Sequence, residues 1–272
     1  SFILGVDTGG TYTDAVILEN EERVIAFSKS LTTHSDLSLG IGSAIKQAIN
    51  QKNIKPEKIS LVSLSTTLAT NALVEEQGDR VALIMIGFKD SDLEKHSIFD
   101  ALSGDPFLVI EGGHNYAGFE KNPLDKIELS SWVSKVTGIS AYAVCSQFAV
   151  RNPEHELDAA EIIRKLTDKP VSLSHQLSAK LNGPKRALTA ILNARLIALI
   201  DLLIIKAEYV LENLGILAPL MVVRGDGALI SAAQAREKPI ETILSGPAAS
   251  IVGARWLTGE NEAIVSDIGG TT

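Results

Sequence analysis

The sequence is short of the features that would place it outside a reducing compartment, in a membrane or on nucleic acid. It has one cysteine, Cys145, among 272 residues. A lone thiol excludes an intrachain disulfide, and a reducing cytoplasm is the compartment that suits it. In the apolar run Ser140–Ser146 it reads as a core residue and not a nucleophile. Lysine and arginine number 25 against 33 aspartates and glutamates, giving a net charge of −8 and an isoelectric point near 5.2. That balance argues against nucleic acid or an anionic membrane surface as partner. No run of roughly 18 or more uncharged apolar residues occurs. Arg195, Asp201 and Lys206 interrupt the most apolar segment, which therefore reads as a buried helix and not a span. Ser1–Leu4 has neither a basic region nor a cleavage site, so it reads as a strand and not a leader. Solenoid repeats, low-complexity tracts and long Pro- or Ser-rich linkers are missing too.

What the sequence does have, beyond a 45% hydrophobic content sufficient for a sizeable core in one or two domains, is a polar stretch from Asp7 to Asp14. It lies between the apolar segments Phe2–Val6 and Ala15–Leu18. Two strands so closely linked predict a β-hairpin, and Gly9 and Gly10 permit φ > 0 with close approach of backbone N–H groups to a ligand. Thr8, Thr11 and Thr13 add hydroxyl donors. Asp7 and Asp14 would repel a bare phosphate but suit one bridged by Mg²⁺. Asp14 serves equally well as a cap of its own hairpin. The pattern returns at the other end, where Ala263–Ser266 predicts a strand leading into Asp267, Gly269, Gly270 and Thr271. This second copy stops at Thr272 before any return strand, so these residues are expected to be part of a longer chain.

Between the two loops the pattern alternates. Arg23–Phe27 predicts a strand, Asp36 the cap of a helix to about Gln51, and Ile59–Leu64 a strand entering Thr66-Thr67 at a helix start. Those two threonines are either an anion site or ordinary caps. Arg80–Ile86 predicts a strand covered on both faces, and 89–105 a loop with a short helix. His114, in the turn-rich segment 111–118, is either an exposed loop histidine or a substrate contact. Ala141–Phe148 predicts a strand, and Asn152-Pro153-Glu154 opens a helix with Leu157, Ala160, Ile163 and Leu166 inward. A strand at 171–174, a long helix from Gly183 to about Gly215, a strand at 220–224, a turn at 225–227 and a helix at 230–236 follow. A small-residue helix begins at Ser245. Strands alternating with helices predict an α/β fold.

Two Asp-x-Gly-Gly-Thr loops resemble the phosphate loops of the superfamily containing actin, the heat-shock chaperone ATPases and the sugar kinases. The ordered set of Asp7–Asp14, Thr66–Ala72, Glu111-Gly-Gly-His114, Arg151–Glu156, Thr189–Ala194, Leu244–Ala249 and Asp267–Thr271 resembles the hydantoinase/oxoprolinase family, A-type subunits, over the whole chain. Three features depart from that family's pattern: Leu64-Ser65 where a His usually precedes the threonine motif, Gly225-Asp226-Gly227 in place of Ser-Asp-Gly-Gly, and no later glycine-rich adenosine segment. The resemblance implies a ribonuclease-H-like mixed sheet with added α/β units. The implied divisions are 1–86, the first part of a nucleotide-binding lobe; 87–244, further α/β units; 245–258, a connecting helix; and 259–272, the start of a second lobe. It implies ATP-dependent opening of a cyclic amide, with ATP and Mg²⁺ as cofactors and a B-type hydantoinase subunit as partner. Asp7 and Asp267 would be the catalytic and metal-holding residues. Thr8, Gly9, Gly10, Thr11, Thr13, Thr66, Thr67, Gly269, Gly270 and Thr271 would bind the nucleotide. A sugar or small-acid kinase and a non-catalytic assembly domain remain as alternatives.

Overall fold

The short polar link at 9–11 leaves two alternating apolar segments no choice but to pair, and the rest of the first sheet grows from that hairpin. The computed structural model describes residues 1–74, 78–94 and 96–268. The chain runs β1 (Phe2–Thr8), β2 (Tyr12–Glu19), β3 (Arg23–Leu31), α1 (Leu37–Gln51), β4 (Ile59–Thr66), α2 (Leu68–Val74), β5 (Val81–Ile86) and α3 (Ile98–Leu102). It continues through β6 (Phe107–Ile110), α4 (Lys126–Val133), β7 (Ala141–Ser146), α5 (Glu154–Leu166), β8 (Val171–Leu173), α6 (Ser174–Leu177) and α7 (Gly183–Asn213). Next come β9 (Leu220–Val223), β10 (Leu229–Ser231), α8 (Ala232–Glu237) and α9 (Ser245–Thr258). Two units result: Ser1–Gln77 with Leu199–Thr272, and Gly78–Ala198.

The first unit holds a six-stranded mixed sheet in the order β10-β9-β4-β1-β2-β3. β1 and β2 pair antiparallel with Asp7 opposite Asp14, while β1 and β4 pair parallel with Asp7 beside Ser65. Period-two alternation sends Leu4, Val6, Ala15 and Ile17 to one face, where they are buried. Helix α1 covers that face through Leu37, Ile41, Ala44, Ile45 and Ala48. Its first turn is capped by Asp36, which accepts from the Ser38 N–H at 3.2 Å. Ala207 and Leu211 of α7 meet Ile41, Ile45, Val62 and Leu64 there. Each buried valine, leucine or isoleucine among them stabilises the unit by roughly 1.5–3 kcal/mol.

The second unit holds a four-stranded, all-parallel sheet in the order β6-β5-β7-β8. A parallel sheet needs cover on both faces, and every residue of β5 and β7 is buried. Ile84, Ile86 and Val144 point into a core with Leu129, Val133, Ala160 and Ile163 from α4 and α5. Leu83, Met85, Ala143 and Cys145 point the other way, against Ala187, Ile191 and Ala194 of α7. Cys145 is the core residue expected: its thiol donates to the Gly183 carbonyl at 3.3 Å, and burial pushes its pKa up to about 12.

Among the described residues α7 is the one helix whose length and composition suffice to cross a membrane. The three charges that interrupt its apolar run find partners in protein. Arg195 pairs with Asp105 at 2.8 Å, Lys206 with Asp36 at 3.1 Å, and Asp201 with Arg236 at 2.9 Å.

Several expectations are corrected. Strand 81–86 does not close the first lobe; its pairing with β6 and β7 puts it in the second sheet, and residues after 198 return to the first unit. The inward face of α5 is His155, Glu156, Ala159, Ala160 and Ile163, whereas Leu157 and Leu166 are both 47% exposed. The helix turns this way because Glu156 is drawn inward by the β7 end, Ser174 and His175. His114 is fully buried and not an exposed loop residue. Ala263–Ser266 is not a strand, since none of the described residues pairs with it.

Candidate functional site

Thr8 and Thr13 are opposite one another on the α1 side of the hairpin, and Asp7 and Asp14 are opposite one another on the other side. This follows from alternation, and it divides the candidate residues into two groups. Thr13 is fully buried, its hydroxyl 2.9 Å from that of Thr32, which in turn donates to the Gly9 carbonyl at 2.9 Å. His34 Nε2 donates to the Gly10 carbonyl at 2.6 Å, and the Thr32 N–H to the Thr11 carbonyl at 2.9 Å. Three loop carbonyls are thus tied back to the segment following β3. Thr13 works behind the loop and offers no hydroxyl to a phosphate. Thr8 is also fully buried, and its hydroxyl has no hydrogen-bond partner.

Neither Gly9 nor Gly10 takes a positive φ, contrary to the sequence reading. At Gly9 the requirement is steric: a Cβ would stand 3.0 Å from the Tyr12 carbonyl oxygen, which the Gly9 N–H itself meets at 2.9 Å. Thr66 is a cap, as one of its two readings had it. Its hydroxyl accepts from the Leu68 N–H at 3.0 Å and donates to the Thr8 carbonyl at 2.9 Å. Ser245 Oγ donates to the Thr66 carbonyl at 2.9 Å, fastening the start of α9 to the same place. Thr67 is half-buried, with its hydroxyl beside Gly9 and its methyl where a Cβ on Gly246 would stand, at 2.7 Å.

On the other face lies a groove of about 900 Å³ in the first unit, floored by Ile3, Gly5, Val16 and Leu18 and walled by Val252 and Trp256 of α9. Asp7, Asp14, Lys29 and Ser65 line its polar part. The Ser65 hydroxyl donates to Asp7 Oδ1 at 2.6 Å. Lys29 pairs with Asp14 at 3.3 Å and lies over the Tyr12 ring at 4.9 Å. Burial raises the Asp7 pKa; the Ser65 bond lowers it, the charges of Asp14 and Asp267 raise it and that of Lys29 lowers it, with a net rise. Ser250 of α9 donates to Asp267 Oδ2 at 2.7 Å. Asp7 and Asp14 therefore share a patch with one lysine, and the charge of Asp267, bonded to α9, is felt at Asp7.

The structure brings together Asp7, Gly9, Gly10, Thr11 and Thr67, puts Thr8, Thr13 and Thr66 behind them, and ties Asp267 to Ser250 of α9, from where its charge acts on Asp7. Gly269, Gly270 and Thr271 lie outside the described residues. Ser65, Lys29 and Ser250 are site residues that sequence reading missed; only strand register reveals the first two. Asp226 serves its own turn, bonded to Arg224 and to the Ala228 N–H, which take its pKa down to about 2.

Residues 3–167 match the family described as Hydantoinase/oxoprolinase N-terminal region, and residues 186–272 that described as Hydantoinase/oxoprolinase. The alpha subunit of caprolactamase from Pseudomonas jessenii is 28% identical over 99% of this chain and 42% of its own length. The gamma subunit of acetophenone carboxylase from Aromatoleum aromaticum is 26% identical over 99% of this chain and 41% of its own length. The crystal structure of the ATP-dependent caprolactamase from Pseudomonas jessenii has a TM-score of 0.79 at 25% identity, covering 93% of this chain and 40% of that one. The chain spans about two fifths of the length of these curated relatives.

Proposed function

Because this chain belongs to the hydantoinase/oxoprolinase family, we propose that it carries the first phosphate loop of an ATP-dependent enzyme that opens a cyclic amide of the hydantoin or 5-oxoproline type. The observation that carries this reading is Asp7 opposite Asp14 on a patch with one lysine, with the charge of Asp267 felt at Asp7, beside a glycine loop anchored by its carbonyls. Such an excess of carboxylate suits a divalent cation. Asp7 and Asp267 would hold Mg²⁺, in part through water, since no group of three or more His, Cys, Asp or Glu able to hold a metal occurs among the described residues. Bound ATP would supply the phosphoryl group that turns the amide oxygen into a leaving group.

The chain's own contribution is position and charge, which is most of what phosphoryl transfer asks of a protein. Gly9, Gly10 and Thr11 would approach phosphate oxygens, with the Thr67 hydroxyl beside them and Gly269, Gly270 and Thr271 supplying the second loop. Ser65 holds Asp7 in its rotamer by a 2.6 Å bond. Thr8, Thr13 and Thr66 keep the loop in shape. A B-type hydantoinase subunit would complete ring hydrolysis, and a reducing cytoplasm suits the single buried thiol.

The test is Asp7→Asn in the full-length protein, assayed for phosphate release from Mg-ATP with hydantoin, 5-oxoproline or caprolactam present in turn. We expect turnover to fall by at least about a hundredfold. Near-normal turnover would remove Asp7 from the site, and a stable phosphorylated product in place of a ring-opened acid would favour a kinase.

A further inference from the structure

The turn at 112–121 lies against the carboxyl end of the second unit's sheet, and the proposed function uses nothing in it. Hydrogen bonds draw it shut. The Gly113 N–H donates to His155 Nδ1 of α5 at 2.8 Å, the His114 N–H to the Gln147 carbonyl at 3.1 Å, and the Lys121 N–H to the Gly113 carbonyl at 2.9 Å. The Gln147 N–H in turn donates to the Ile86 carbonyl at 2.9 Å, where β5 and β7 end side by side. At the tip of the turn, Tyr116 and Phe119 are 78% and 71% exposed, so apolar burial there does little to hold it in place.

Closure leaves polar groups unmet. His114 Nδ1 and Nε2, Ser146 Oγ and Gln147 Oε1 are buried with no hydrogen-bond partner among the described residues, although buried polar groups are rarely left so. Each would regain a partner in water, which favours an open turn. Gly112 and Gly113, with φ of 143° and 85°, stand at one end of the turn, and Gly118, at 87°, is near the other. Backbone swings most freely at such residues. The closed seat is nonetheless tight, since a Cβ at Gly112 would stand 2.5 Å from Ile86 and 3.2 Å from His155 Nδ1.

The closed seat also requires two imidazoles to stay uncharged. His155 Nδ1 accepts from Gly113 and so carries no proton, while its Nε2–H donates to Glu120 at 2.9 Å. His114 is fully buried, its ring centroid 4.4 Å from that of His155. The groups facing it are His155 and Glu154 of α5, Glu120 of the turn itself and, at the end of β7, the uncharged Gln147. None of them is hydrogen-bonded to its ring. Burial and His155 lower its pKa, and the two glutamates only partly offset them. A proton on His114 would therefore put an unpaired charge into a dry layer.

We infer that the turn at 112–121 is an acid-released latch, held over the ends of β5 and β7 by two uncharged histidines and opened about its glycines by a proton on His114, which bares Ser146 and Gln147. Because the closed state disfavours the charged ring, closure is complete above the ordinary histidine range, about pH 6.5, and is lost as pH falls below it. Uptake of one proton on opening makes the effect about tenfold per pH unit. The latch belongs to the second unit alone and is independent of phosphate chemistry.

The test is amide hydrogen exchange followed by NMR in this chain, without ATP, across pH, with each rate divided by its intrinsic value. The amides of Gly113, His114 and Lys121 should lose protection by about tenfold per pH unit below about pH 6.5, while those of β5 and β7 keep theirs. His114→Phe, which keeps a ring but takes up no proton, should abolish that pH dependence. If this variant does not fold, the His114 ring resonances of the unsubstituted chain decide, since they must not titrate while the amides of the turn stay protected. Protection that is unchanged with pH, the same loss in His114→Phe, charging of His114 inside a protected turn, or loss throughout the second unit at the same pH would each overturn the inference.

Discussion

At Asp7, burial raises the carboxyl pKa more than the Ser65 hydroxyl lowers it, and Asp14 and Asp267 add to the rise. A carboxylate whose folded-state pKa is raised contributes stability that is full below its unfolded pKa and lost as pH rises through the folded one. Asp7→Asn should therefore raise the thermal midpoint at pH 7, with the gain over the unsubstituted chain closing as pH falls below the ordinary carboxylate range. Melting curves across pH decide this; a lower midpoint at neutral pH would refute it. The same residue shows how far sequence reaches into the site. Asp7 and Gly9 stand out in an eight-residue motif, but Ser65 is 58 positions away, and only the parallel register of β1 with β4 makes it the partner. Thr13 and Thr66 carry the right hydroxyls for phosphate, yet strand alternation and a helix start claim both.

Helix α9 starts where Gly246 lets it touch the threonine turn, with Thr67 Cγ2 at 2.7 Å from a would-be Cβ. Gly246→Ala should destabilise the protein by about 1–3 kcal/mol, as overpacking does. Thr67→Ser, which removes the offending methyl, should recover most of that loss in the double variant. Denaturant titration of the four proteins measures the coupling, and additive losses would show that the contact is not the cause. In the second unit, Ile84→Ala should cost about 2–5 kcal/mol, since Ile84 is fully buried between two strands and two helices. Most elements are readable in the sequence because their apolar spacing is read directly by the fold. The exceptions have physical causes. In α5 a buried glutamate outweighs two leucines in setting the inward face, and Ala263–Ser266 has strand composition without a strand to pair with.

The two units carry separate reporters. Trp132 packs against the core of the second, Trp256 lines the groove of the first, and the chain has no other tryptophan. Cys145 is buried in the second unit with its thiol pushed up to about 12, so it should react with a thiol reagent only as that unit unfolds. In denaturant, labelling of Cys145 should track the fluorescence of Trp132 in a Trp256→Phe variant. Labelling that precedes loss of the Trp132 signal would show that the site opens locally. The division into units is the least readable feature of the sequence, because no glycine- or proline-rich linker marks either crossing. The hairpin also carries an instruction for folding. Because Asp7 and Asp14 occupy one face and Thr8 and Thr13 the other, slipping β1 by one residue would turn Asp7 under α1, into the apolar layer of Ile41, Ala44 and Ile45, while Leu4 and Val6 turned outward. The charges proposed to suit the loop to a metal-bound phosphate would therefore also act as a proofreader of strand alignment, rejecting the mispaired hairpin before the sheet is built upon it.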